Sequence, residues 1–464
     1  MKLPLVFFVN SVVVGGLVGA IIYSLPGITW HDQQRLFQIV IFFLSAGFSA
    51  VLFARPGYQT LSWPSLLALL AVVLLGFASG GLALSPEWAL TEISLLVCSV
   101  GLACLIASLI RWIPVFGEVY FPGVVRALLL VIVLRFYVSW FSALSHADLF
   151  FSPWSLLDGF SNVRHQGQFL TMVMPLLASS WALAGGPKER LSTWFDPLLM
   201  ASVTAMVFVA GTRGTIAAWL VAASVFFFVS PGATRVARRV LIALLAGYIL
   251  SLAVFMSIAL ASGQPVFSRF ASSEVFGLSG RWDLWRTALE SVVASPWLGI
   301  GPMHFVSLDH PSGAHPHQMF LQIASEWGVP VLLITLAVVG VWLGRSTRMA
   351  MQEDATAGSD LRWVLLFAIF AALVQAQVDG VLVMPYPQLW LAMISGWALA
   401  VFYRPKTLAH PAVAKFVGFA FVAVQLLAAS YLAFVAFRDF GKLIDAPEWC
   451  PFGPRFWCDG RFNG

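Results

Sequence analysis

Charge is what this chain has least of. Asp, Glu, Lys and Arg make up 10% of its 464 residues, and apolar residues make up 60%. A soluble domain is about a quarter charged, so a water-soluble globular fold is excluded and a bilayer is the expected solvent. Cysteine is also scarce, at four residues. Cys98 and Cys104 fall inside an apolar stretch and read as small packing residues. No phosphate-binding P-loop and no Gly-rich dinucleotide fingerprint occurs, which argues against ATP hydrolysis in this chain. The net charge of +5 does not point to nucleic acid, because the basic residues sit in short segments between apolar runs. There they act first as topology markers.

What is present is apolar length. A run of about 17–25 apolar residues can cross the hydrocarbon core as a helix. Such runs fall at about 3–25, 34–53, 64–84, 88–111, 119–144, 167–185, 193–211, 214–230, 238–262, 329–345, 362–383, 386–403 and 412–437. The expected fold is an all-α polytopic membrane protein, a bundle of about 12–13 transmembrane helices with a periplasmic helical loop. The first run is expected to be a span and not a cleaved leader, since no small-x-small site follows it. Four regions are expected: transmembrane helices over 1–262, a loop over 263–328, further spans over 329–437, and a tail over 438–464. With the N-terminus inside, the basic TRVARR stretch (234–239) faces the cytoplasm, as the positive-inside rule requires. The loop and the tail then face the other side. In that oxidising compartment Cys450 and Cys458, in EWCPFGPRFWCDG, are expected to form a disulfide.

The rare polar residues on the expected outer side carry the functional reading. Four histidines lie between positions 304 and 317, and His315 and His317 sit in SGAHPHQMFLQIASEWG (312–328). Pro316 favours an extended turn, which puts the two rings on opposite sides and makes joint metal binding poor. No metal site is expected. One histidine as a general base fits better, because imidazole titrates near neutrality. Arg164, Arg213 and Arg281 each sit at the edge of an apolar segment. Singly each reads as a headgroup anchor. Together, beside histidines, they point to an anionic ligand, since guanidinium matches phosphate oxygens in pairs. Arg286 is flanked by Asp283 and Glu290 at helical spacing and reads first as a solvated ion pair. Arg126, Arg135 and Asp379 lie within expected spans. Intramembrane charge is costly and marks either a polar site or a structural pair. No Asp-x-Asp pair appears on the outer side to hold a divalent ion on a nucleotide sugar. Arginine would have to neutralise a pyrophosphate instead. The segment from Arg281 reads as an interfacial helix with an apolar stripe of Trp282, Trp285, Leu289 and Val292.

Three motifs carry a resemblance: GRWDLW (280–285), PWLGIG (296–301) and HQMFLQ (317–322). Their order resembles the Wzy-C superfamily, which includes O-antigen ligases, O-antigen polymerases and protein O-oligosaccharyltransferases. GTRGT (211–215) and VDGVLVMP (378–385) also look like family segments. The resemblance implies about twelve spans, an undecaprenyl-pyrophosphate-linked glycan as donor and no cofactor. It assigns the base role to His317, with Gln318 where the family often has Asn. Arg213 and Arg281 would stabilise the leaving pyrophosphate. Arg164, His315, Gln318, Asp379, Arg135 and Arg286 are the further substrate-binding candidates. Transfer to a lipid A–core sugar at the periplasmic face of the bacterial inner membrane is the expectation, with inversion at the anomeric carbon. A polymerase or a protein O-glycosylating enzyme is the alternative within the superfamily. A lipid-linked glycan flippase or transporter is the alternative outside it.

Overall fold

A computed structural model describes residues 16–53, 61–145, 156–182, 190–263, 281–308, 313–354, 359–403, 411–444 and 455–457. Among them every regular element is helical. Seven helices are long and apolar enough to cross a membrane, and two shorter apolar ones cover Trp194–Ala210 and Arg213–Phe227. The protein is an all-α polytopic membrane protein. Cys450 and Cys458, and with them the expected disulfide, lie outside the described residues.

Sequence chemistry sets the helix starts. Ser62 accepts from the Ser65 amide, with a proline in the first turn of the Trp63–Leu82 helix. Ser230 does the same for Ala233 at the head of Pro231–Ser262. Both pairings satisfy amides that a helix leaves open, and proline loses nothing at that position. Trp63–Leu82 and Val329–Gln352 are almost wholly unburied by protein, although they are strongly apolar. Such faces suit lipid, where an exposed leucine has no cost.

The chain divides into two units. The first takes Met1–Tyr23, Gly117–Ser279 and Thr347–Gln375. Its centre is the packing of Arg190–Ala210 against Pro231–Ser262. Gly247 lets them close, since a Cβ there would stand 2.7 Å from the Ala205 amide nitrogen. Thr204 donates across the seam to the Ala243 carbonyl at 2.7 Å. Arg126 is paired with the buried Asp196 at 2.9 Å, which accounts for that intramembrane charge.

The second unit takes Ser24–Phe116, Gly280–Ser346 and Ala376–Gly464. In it Pro86–Trp112 packs along Pro385–Phe402, and Gly396 sits against the Ala103 backbone. Arg281–Ala294 and Met319–Trp327 are the short helices of this unit.

Two expectations are corrected. The run 362–383 is not one helix: Ser359–Gln375 stops, and 376–384 form turns before Pro385 opens the next helix. Asp379 therefore lies in a connection and not in a span. The run 167–185 is an α-helix over Val163–Val173 followed by a 3-10 segment over Met174–Ala182, because Pro175 lacks the amide that the α-pattern needs. In Arg281–Ala294 the buried face is Leu284, Ala288 and Ser291, while Trp282, Leu289 and Val293 are exposed. The buried face packs on Phe305, Leu308 and Leu321.

Candidate functional site

The second unit gathers His315, His317, Gln318 and Asp379. Gln318 caps the Met319–Trp327 helix, its Oε1 accepting from the Leu321 amide. Its Nε2 donates to Gln377 Oε1 at 3.1 Å, and the Met319 amide donates to the Ala376 carbonyl at 2.9 Å. The start of this helix is thereby tied to the turn that carries Asp379. An amide that caps a helix has its acceptor occupied, so Gln318 is a structural cap before it is anything else.

His317 has φ 54°, in the left-handed region that side chains rarely enter. That conformation costs about 1–3 kcal/mol and recurs at functional sites. It also corrects the expectation for the two rings. The chain does not run extended through His317 but curls, and the His315 and His317 ring centroids lie 4.0 Å apart. The His317 amide donates to His315 Nδ1 at 3.2 Å. A neutral His315 consequently carries its proton on Nε2. His315 is buried, and its ring lies on the Gly380 backbone, where a Cβ would meet Cε1 at 2.7 Å.

Asp379 Oδ1 accepts from the Gly380 amide at 2.9 Å and lies 3.8 Å from His317 Nδ1. That gap is too long for a hydrogen bond but close for a charge pair. Catalytic contacts of this kind often tighten only with substrate present. The His317 side chain is 23% exposed, so the ring can be reached from outside. Trp285 Nε1 donates to the Pro316 carbonyl at 3.0 Å and anchors the His-Pro-His turn on the Arg281–Ala294 helix.

The remaining expected residues separate clearly. Arg281 lies on the Arg281–Ala294 helix and is half-buried. Arg286 is paired with Glu290 at 2.9 Å, both well exposed, as its flanking carboxylates indicated. Arg164, Arg213 and Arg135 belong to the first unit. Arg135 donates to the Ile21 and Ile22 carbonyls and pairs with Asp158, which makes it a structural clamp. Arg213 opens Arg213–Phe227, and Arg164 stands in the first turn of Val163–Val173, behind the cap Asn162. Gly167 brings these two elements together, since a Cβ there would lie 2.7 Å from Thr215 Oγ1. Thr215 also accepts from Gln375 Nε2 at 3.1 Å.

Several groups escape sequence reasoning. His304 is buried, with Nδ1 against the Pro302 carbonyl at 2.8 Å and Nε2 accepting from the Ser85 amide at 2.9 Å. Only the neutral Nδ1–H tautomer satisfies both partners. Burial lowers its pKa from the ordinary histidine value, outweighing the Pro302 carbonyl and Glu326, which raise it. His304 is a structural histidine. Glu326, fully buried, accepts from the Phe305 amide at 3.0 Å and pairs with Arg455. The signal available beforehand was a lone carboxylate in the apolar run FLQIASEWG.

A polytopic helical membrane protein with a reachable histidine beside a carboxylate is the class that these observations define. Residues 198–336, under a third of the chain, match the Wzy_C family, described as O-Antigen ligase. The match spans GTRGT, GRWDLW, PWLGIG and HQMFLQ, and the Wzy-C resemblance holds. No curated protein matches the chain.

Proposed function

We propose that the chain is an O-antigen ligase, which transfers glycan from undecaprenyl pyrophosphate to lipid A–core at the periplasmic face of the inner membrane. The observation that carries the reading is the pairing of His317, on the HQMFLQ motif, with Asp379, on VDGVLVMP. A second observation supports the anionic donor. Arg213 is the first residue of its helix, and Arg164 is in the first turn of its own. A positive side chain there opposes the helix dipole. The same place favours a bound phosphate, where amides and guanidinium act together.

In the reaction the acceptor hydroxyl gives its proton to His317 Nε2 as its oxygen bonds to the anomeric carbon. The bond from that carbon to the pyrophosphate oxygen breaks, and the electron pair leaves with the lipid pyrophosphate. Attack opposite the leaving group inverts the anomeric centre. Asp379 faces the other ring nitrogen and favours the imidazolium that forms. Arg281, in the same unit as His317, neutralises charge that grows on the leaving group. Membrane lipid and the polyprenyl chain contact the apolar helices.

The test is purified protein with lipid-pyrophosphate glycan and lipid A–core, with chelator present. Glycan appearing on lipid A–core supports the ligase. Longer glycan on the donor lipid instead identifies a polymerase, the second reading. No product of either kind rejects both.

A further inference from the structure

We infer that Arg455, in the C-terminal tail, is a positioning residue for His317 and Asp379, because residues 455 and 456 brace the elements that carry both. This rests on the transfer reaction proposed above. Arg455 is 1% exposed and Glu326 is 0% exposed. The Arg455 guanidinium makes a two-pronged contact with the Glu326 carboxylate, 2.7 Å on one prong, and reaches Glu92 at 3.2 Å. Glu326 stands near the end of the helix that starts just after His317. Its side chain takes the Phe305 amide, and its carbonyl takes the Gly301 amide at 3.1 Å. Gly299 also lies on it, where a Cβ would be 2.5 Å from the Glu326 carbonyl. Glu326 thus joins the His317 helix to the tail through its carboxylate and to the PWLGIG turn through its backbone carbonyl.

The other half of the pair is reached through the neighbouring residue. The Phe456 carbonyl accepts from Arg35 Nε at 3.2 Å, and its ring centroid is 5.1 Å from the Arg35 guanidinium carbon. The same guanidinium donates to the Val383 carbonyl at 3.0 Å and to Gln388 Oε1 at 2.8 Å. Val383 closes back on the Gly380 carbonyl at 3.0 Å, within the turn that presents Asp379. Trp457 Nε1 donates to Asp439 at 3.2 Å and ties the tail to the last helix. A buried ion pair adds little net stability over an apolar pair of the same shape. Its directional geometry is what an apolar pair lacks, and here that direction sets two loops.

Arg455→Lys keeps the charge and loses the two-pronged contact. The triple variant Glu92→Gln/Glu326→Gln/Arg455→Met removes all three charges, so no partner is left buried and unpaired. Transfer kinetics and hydrogen exchange over 313–322 and 376–384 are measured for each. Both variants are expected to keep helical content and the donor KM of the parent. Their kcat should fall about tenfold to a hundredfold, the scale of a small misplacement of reacting groups, with faster exchange in both segments. Parental kcat and parental exchange in both variants would overturn the inference. Exchange is read without turnover, so a parent protein that transfers no glycan defeats the function and still leaves the positioning decided by the exchange arm.

Discussion

At the scale of single residues, three histidines close in sequence have three different fates. His304 is locked neutral between a carbonyl and an amide. His315 accepts the His317 amide and lies on glycine. His317 alone combines accessibility, a carboxylate neighbour and a left-handed backbone. His317→Ala should lower transfer about a hundredfold to ten-thousandfold, the usual worth of a general base. Asp379→Asn should cost less than this with the donor KM unchanged, and both are read by glycan transfer to lipid A–core. His304 gives a prediction of opposite kind. Its folded pKa is lowered, so the unfolded chain takes up a proton that the folded chain refuses. Its stabilising share is present above the ordinary histidine pKa, about 6.5, and is lost as pH falls toward the lower folded value. Melting of the purified protein should drop as pH falls below about 6.5, and His304→Gln should flatten that slope.

At the scale of elements, the short helix Met319–Trp327 is defined by its ends. Gln318 caps it. Glutamine and asparagine both offer an acceptor to the first turn, though asparagine does so with less side chain to order. Gln318→Asn should leave melting and transfer near the parent values. Gln318→Leu should destabilise by about 1 kcal/mol, the usual value of a cap, and thermal melting checks both. Gly380 is the complementary element feature. Gly380→Ala would place a methyl inside contact distance of the His315 ring. The ring must move, and His317 with it. Loss of transfer with little loss of helical content is expected. Parental transfer by Gly380→Ala would show that His315 does not set the His317 geometry. The turn over 376–384 was legible, since Asp379-Gly380 followed by Pro385 is a turn signature. Apolar length alone masked it, because Val381, Leu382 and Val383 continue the hydrophobic run. The rings of His315 and His317 were not legible, because alternation assumes an extended chain and φ 54° at His317 breaks it.

At the scale of the whole molecule, orientation follows from where the basic segments lie. In a background of Cys450→Ser and Cys458→Ser, an impermeant thiol reagent added to intact cells stripped of their outer membrane should label Asp283→Cys. Gln352→Cys should stay unlabelled until the inner membrane is opened. Cys98 and Cys104 are buried in the bundle and should not interfere. The reverse pattern would put the His317 site on the cytoplasmic side and end the periplasmic ligase reading.

The sequence by itself determined the class. Apolar length at this charge content leaves a helical membrane protein as the only way to satisfy the backbone in lipid. Its few polar residues drew the search to His317, Arg213 and Arg281, whose roles are what the family resemblance implies. Only the tertiary structure decided which polar groups are held as supports. Arg126 is held by the buried Asp196, 70 positions along the chain. Glu326 meets Arg455 across 129 positions of chain. Such pairings depend on long-range closure, which no local pattern encodes, and burial then makes each one obligatory, since a charge without its partner is too costly to keep away from water.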